Sequence, residues 1–285
     1  MPSPNDRSFT IDPHNPRVEA NRRLVESEIL PGNTVTFSTP VDLAEIEEIR
    51  ASAKRDGRIR PSYTAFVAKA IALGLQEFPY ANRRLYKRPW WPFIGHIQRF
   101  HRCDVTIAAE RDVEGAESVA FVDVLRDVDR LSLEEITTWL SALANSTEAT
   151  NKQWREFSQV TRLPWFVAAP LLRLPLYFPS LWMKWRGGAA MISSPAKYGV
   201  HSVVATWPWP LGFSFGFVSR RPFVDDDGQI VVRTCFDLVL NFDRRIMAGA
   251  PAAKFFVRII RALERAKTEL ENPRAGESQT TAARP

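Results

Sequence analysis

The sequence predicts a two-layer α/β sandwich, a mixed sheet with helices packed on one face. Three observations predict it. Short segments of β-branched and aromatic residues alternate with segments of helical period, the longest strand pattern runs straight into an amphipathic terminal helix, and no sequence period repeats. With 285 residues and 45% apolar content, the chain can bury one substantial core.

The elements follow in order. Residues 34–39 alternate as a strand does, and Asp42 is placed to cap a helix that carries Leu43, Ile46 and Ile49 on one face. Ser62 opens a second helix over 63–78, apolar almost throughout and therefore buried on most sides, and Pro79 ends it. Residues 104–109 and 119–124 read as strands. A helix over 132–144 follows, opening on a Ser-x-x-Glu box formed by Ser132 and Glu135. Strands are expected at 189–193, 211–218 and 229–242, with Asp225-Asp226-Asp227-Gly228 as the turn between the last two. A helix over 252–270 with Phe255, Phe256, Ile259, Ile260 and Leu263 on one stripe completes the pattern. The expected domain spans 25–271, with tails at 1–24 and 272–285 and an aromatic insertion at 161–187.

Charge and composition exclude several classes. Thirty-eight Lys and Arg against 32 Asp and Glu give +6 without a basic run, so nucleic acid is not the expected partner. Two cysteines, Cys103 and Cys235, form no four-cysteine zinc site, and the His101-x-Cys103 pair lacks the further ligands a metal needs, so no metal is expected. Cys235 reads as a core residue of the last strand. The first 23 residues lack the apolar stretch of a signal peptide, and the expected location is cytoplasmic. Residues 163–185 are rich in Leu, Phe, Trp and Tyr, but Pro164, Pro170, Pro175 and Pro179 argue against a membrane span. That segment is instead read as the lining of an acyl pocket, a subunit contact, or a peripheral membrane-surface contact with Arg173, Lys184 and Arg186 facing phosphates.

Three stretches carry a resemblance. Pro61-Ser62-Tyr63-Thr64-Ala65-Phe66 continues through Lys69-Ala70 to Phe78-Pro79-Tyr80-Ala81-Asn82. Val124-Leu125-Arg126-Asp127-Val128-Asp129-Arg130-Leu131-Ser132 forms a strand-to-helix passage. Met191-Ile192-Ser193-Ser194 is followed by Asp243-Arg244-Arg245 with Ala248-Gly249, Arg244 standing 51 residues on from Ser193. Together, over about residues 22–270, they resemble the catalytic domain of 2-oxo acid dehydrogenase (dihydrolipoyl) acyltransferases, which shares its fold with chloramphenicol acetyltransferase.

The resemblance implies a chloramphenicol acetyltransferase-like fold, a homotrimer with active sites between subunits, and coenzyme A or acyl-CoA as substrate with no bound cofactor. It also implies that Ser193 donates to the oxyanion of a tetrahedral intermediate, while Asp243, Arg245 and Gly249 set the geometry of the motif turn. The pattern departs at two positions. Arg244 stands where the family has its histidine base, and Ala248 where the motif has an aspartate. Arginine has no acceptor lone pair and a pKa above about 12, so it is not a general base. Two active readings remain open: Arg244 holds a substrate thiolate electrostatically, or His201 supplies the base. A third reading is a non-catalytic trimeric scaffold or acyl-CoA binder. No lipoyl-domain hairpin is visible, so a lipoylated or CoA-linked substrate is expected to arrive separately.

Overall fold

The last strand organises the structure. In the computed structural model, which describes residues 33–88, 90–113, 116–224 and 227–271, β9 (Ile230–Asp243) pairs antiparallel with three others. These are β1 (Thr34–Asp42), β7 (Leu211–Phe215) and β8 (Ser219–Val224). Parallel pairing then adds β6 (Ala190–Ile192) to β7 and β4 (Val105–Val113) to β6, and β5 (Ala116–Leu125) closes the edge antiparallel to β4. The order is β1-β9-β7-β6-β4-β5, a mixed sheet as the sequence predicts. A separate hairpin, β2 (Arg83–Arg88) with β3 (Trp91–Arg99), escapes the sequence reading because Arg-Arg-Leu-Tyr-Lys-Arg carries no apolar alternation. The expected tails, 1–24 and 272–285, and Asp225-Asp226 of the expected turn lie outside the described residues; Gly228 supplies that turn with φ +75°.

Burial of one apolar stripe fixes the helical layer. Helix α2 (Tyr63–Glu77) starts at Ser62, whose side chain accepts from Ala65 N, and α7 (Gly249–Glu264) runs beside it. The two pack closely because Gly74 has no Cβ; one would stand 3.1 Å from both Ile259 and Phe255. Phe255 stacks on Phe213 of β7, and Phe256 on Phe37 of β1, which places both helices over the same face of the sheet. Helix α1 (Ala44–Arg55) buries Ile46 and Ile49 as expected. Its cap differs from expectation: Asp42 ends β1, Leu43 occupies the cap position, and the Asp42 carboxylate accepts from Ala44 N at 3.0 Å. Helix α3 (Leu133–Ala144) carries the complete Ser132–Glu135 capping box.

The first two sequence stretches are physically one brace. Lys69 is 3% exposed and points its ammonium at the carbonyls of Asp129 (2.7 Å), Leu131 (2.6 Å) and Val128 (3.4 Å). Asn82 donates to Phe100 O and Arg102 O. Buried Asp104 binds Arg126 (2.7 Å) and the backbone N of Asp127, which adopts φ 47°. Burial draws the Lys69 ammonium below its ordinary pKa, with Asp129 and Glu135 opposing the shift.

Three further helices precede β6: α4 (Lys152–Thr161), α5 (Trp165–Tyr177) and α6 (Pro179–Arg186). The aromatic segment is helical despite its prolines. Pro170 and Pro175 lie inside α5, and the carbonyls they leave without donors belong to two exposed residues, Phe166 and Leu171. α5 and α6 meet at 104°, and among the described residues no single helix is long and apolar enough to cross a membrane. The far face of the sheet receives this pair: Thr106, whose side chain points away from α2 and α7, donates to Arg186 O at 2.7 Å.

Candidate active site

Ser193 follows the last residue of β6, and its N donates to Phe213 O at 2.9 Å, continuing the parallel ladder by one step. Its side chain is half-buried and its Oγ bonds nothing among the described residues. The neighbouring Ser194 differs: its Oγ donates to Phe215 O at 2.7 Å and accepts from Ala196 N. One of two adjacent serines is therefore committed to the fold and the other presents a free hydroxyl.

Arg244 follows the end of β9. Its backbone N donates to Asn33 O (2.8 Å), while its exposed guanidinium makes no bond among the described residues. The residues around it are spent on the turn. Arg245 forks onto Asp243 through Nε (2.9 Å) and Nη2 (2.7 Å), a bond that raises its pKa, and Ile246 N closes the turn on Asp243 O at 3.1 Å. Arg83 donates to Ile246 O from the hairpin side. Ala248 then caps α7 in extended conformation (φ −77°, ψ 169°) with no side-chain acceptor, and Gly249 begins the helix.

The registers separate the two free groups. Ser193 lies level with Ser214 on β7, whereas Arg244 lies level with Trp209 at the opposite end of that strand, two strands across. At about 3.3 Å per residue and 4.8 Å per strand the backbones stand roughly 20 Å apart. An arginine side chain does not span that gap, so within one chain the two do not meet.

His201 sits elsewhere. Its carbonyl presses on Gly216, where a Cβ would overlap it, and its ring packs on Phe217. Its Nδ1 faces Arg221 Nη2 at 3.2 Å, and Arg221 in turn holds Asp237 at 2.8 Å. With Nδ1 accepting from a guanidinium, the proton of the neutral ring resides on Nε2, and no lone pair is free to act as base. Gly216 lies two residues, about 7 Å, along the chain from Ser214, the residue level with Ser193.

The remaining candidates are structural. Cys103 is buried at the entrance to β4, where burial, then Asp129, Asp104 and Asp127, push its thiol up to about 12. Cys235 is fully buried in β9 and donates weakly to Ser219 O. Among the described residues no three His, Cys, Asp or Glu side chains gather as a metal site. One feature has no sequence signal at all: a cavity of about 280 Å³ beside the Asp243–Arg245 turn, lined from three distant segments by Arg84, Trp207 and Asn241 among others.

Comparison with known proteins bears on the family and the fold. The family model of the 2-oxoacid dehydrogenases acyltransferase catalytic domain matches residues 11–162 and 184–270, passing over 163–183 within the aromatic segment. The dihydrolipoyllysine-residue acetyltransferase component of the pyruvate dehydrogenase complex of Rickettsia bellii is 23% identical over 268 residues, covering 92% of this chain and 54% of that protein. The lipoamide acyltransferase component of the branched-chain alpha-keto acid dehydrogenase complex of Bacillus subtilis is 23% identical over 76% of this chain and 42% of its own length. This chain thus spans about half the length of the curated relatives it matches.

Two solved structures share the fold. The cubic core of the pyruvate dehydrogenase multienzyme complex superposes with a TM-score of 0.66 at 20% identity, covering 94% of this chain and 97% of that one. The Azotobacter vinelandii dihydrolipoamide acetyltransferase, whose catalytic mechanism has been investigated through a serine, a histidine and an asparagine, gives 0.67 at 19% with the same coverage. On the family match, which takes in most of its length, this chain belongs to the 2-oxo acid dehydrogenase acyltransferase family and carries that family's catalytic-domain fold.

Proposed function

We propose that the protein transfers an acyl group between coenzyme A and a thiol or hydroxyl acceptor, and that it works as a homotrimer in which Ser193 of one copy faces Arg244 of the next. The observation that carries this reading is the pair of uncommitted side chains at opposite ends of one sheet, too far apart to act within a chain. A closed ring of copies joins such ends head to tail.

The chemistry follows from the two groups. The Arg244 guanidinium holds the attacking sulfur as thiolate, since a nearby cation favours the charged form, and the thiol proton leaves to solvent. The thiolate adds to the acyl carbonyl and the tetrahedral oxyanion takes a hydrogen bond from Ser193 Oγ. Collapse then breaks the original acyl–sulfur bond and releases the other thiolate. Removing one oxyanion donor slows such reactions by about 10²–10³.

Acyl transfer from a panel of acyl-CoA chain lengths to a small thiol is the test, with wild type, Ser193→Ala and Arg244→Ala compared. A fall of about 10²-fold or more in kcat for Ser193→Ala, and a pH–rate profile moved to higher pH for Arg244→Ala, are expected. Full activity in both variants sinks the assignment.

A second reading is favoured by Arg244 and Ala248: a non-catalytic trimeric scaffold or acyl-CoA binder. Acyl-CoA binding by calorimetry with no turnover for any donor selects it. Trp165 and Phe166, 64% and 63% exposed on α5, support a membrane-surface contact in either case. Sedimentation with anionic vesicles, with and without Trp165→Ser/Phe166→Ser, tests that contact.

A further inference from the structure

The cavity of about 280 Å³ lies on the sheet face away from α2 and α7, between residues 206–210, the β2–β3 hairpin and the bend from α5 to α6. Two of the residues that line it carry buried donors with nothing to bond. Asn241 is 3% exposed; its Oδ1 accepts from Thr36 at 2.5 Å, and its Nδ2 has no partner. The indole N–H of Trp207 is buried without a partner as well. That ring is held flat over β7 by Gly212, where a Cβ would stand 2.2 Å from Trp207 Cδ1. Buried polar groups are nearly always paired, so two orphan donors in one cavity call for acceptor oxygens from outside the chain.

The charge of the cavity selects the kind of acceptor. Arg84 is 3% exposed and has no carboxylate within ion-pair distance among the described residues. Its donors go to Gln98 Oε1 (2.7 Å), Leu176 O (3.2 Å) and Pro175 O (3.3 Å), and its guanidinium lies 4.1 Å over Trp182. Burial lowers its pKa to about 9, so it stays a cation at neutral pH. Lys87 adds a second positive charge, while Asp243 is neutralised by Arg245. The walls between these groups are flat and apolar, formed by Tyr86, Trp182 and Trp209. Leu176, Tyr177 and Trp182 line the cavity from within 163–183, the segment the family model passes over, so this wall belongs to this chain rather than to the family pattern.

We propose that this cavity binds a small aromatic carboxylate, its ring between the aromatic panels and its oxygens accepting from Asn241 Nδ2 and Trp207 Nε1 in the field of Arg84 and Lys87. Binding does not require turnover at Ser193, so the inference stands or falls apart from acyl transfer.

The test is titration of the full chain with 2-naphthoate, followed by calorimetry and by tryptophan fluorescence, with 2-naphthylmethanol and phenyl phosphate as comparison probes. Saturable binding of 2-naphthoate at one per chain is expected, with the neutral alcohol at least about tenfold weaker. Trp207→Phe, which removes one donor, weakens it by about fivefold to tenfold. Asn241→Asp keeps the acceptor for Thr36 and sets a carboxylate against the ligand, for a loss above about tenfold. Should the aspartate variant not fold, Trp207→Phe alone carries the test. No saturable binding into the millimolar range, equal affinity for the alcohol, or unchanged affinity in the variants overturns the proposal. Tighter binding of phenyl phosphate overturns the choice of carboxylate.

Discussion

The brace around Lys69 and the two open ends of the sheet use the same kinds of side chain in opposite ways. In the brace the donors are committed, Lys69 to three carbonyls and Asn82 Nδ2 to two, and Asp104 accepts from Arg126 and a backbone N, while the buried Asn82 Oδ1 has no partner among the described residues. At the open ends the neighbours are committed and one group is left over, Ser193 beside Ser194 and Arg244 between Asp243 and Arg245. The comparison teaches that the sequence stretches carrying the family resemblance divide by purpose. Two of them hold the fold, and the third leaves Ser193 and Arg244 free for chemistry.

The largest break in that comparison is predicted for Lys69→Met, which keeps the aliphatic stem but strips the part-buried carbonyls of Asp129 and Leu131 of their ammonium donor, while Val128 O keeps Leu131 N. A loss of about 4 kcal/mol is expected from unsatisfied acceptors, read from urea unfolding. Ser193→Ala, in contrast, removes no bond among the described residues and should change stability by less than about 0.5 kcal/mol. Similar losses in both variants would erase the distinction between committed and free groups.

An alkaline titration sharpens the same contrast, because Cys103 belongs to the brace as packing rather than as a nucleophile. Its folded pKa, about 12, lies above the ordinary thiol value. Below pH 9 the thiol is protonated in both states and its contribution is fully present. Above pH 9 the unfolded chain ionises first, so stability falls as pH rises toward 12, with a one-proton limit of about 1.4 kcal/mol per pH unit. The difference between wild type and Cys103→Ala isolates this slope from the other alkaline groups. Parallel stability curves across that window would show that Cys103 ionises as freely folded as unfolded.

Much of the fold was legible because periodicity reports burial. The apolar run of α2, the Ser132–Glu135 box and the stripe of α7 all stand where the pattern places them. What escaped did so for physical reasons. β2 is written in Arg and Lys because its hairpin contributes cations to the turn and the cavity, so alternation fails there. α5 contains Pro170 and Pro175, which read as breakers until the residues whose carbonyls they orphan, Phe166 and Leu171, prove to be exposed. At the site, Ser193 and Arg244 were legible as residues, but their separation was not, since it depends on the opposed directions of β6 and β9. The cavity was invisible because Arg84, Trp207 and Asn241 meet only through the sheet.

The smallest predicted effect lies at the open end. Ala248 occupies the cap position of α7 in the extended conformation a capping residue needs, yet it offers no side-chain acceptor, and the first turn holds no acidic residue. Pro251 brings no N–H of its own, so Ala250 N is the donor a capping side chain would satisfy. Ala248→Asp supplies both the acceptor and a negative charge at the helix N-terminus, and should add about 1 kcal/mol and raise Tm by about 2–4 °C. A stabilised Ala248→Asp background also makes Arg244→His informative: if imidazole at 244 then increases turnover only when Asp is present at 248, the cap position acts through the orientation of residue 244 as well as through the helix. An Ala248→Asp variant no more stable than wild type would show that solvent already satisfies the end of α7, and the open end would then be free of strain as well as of bonds.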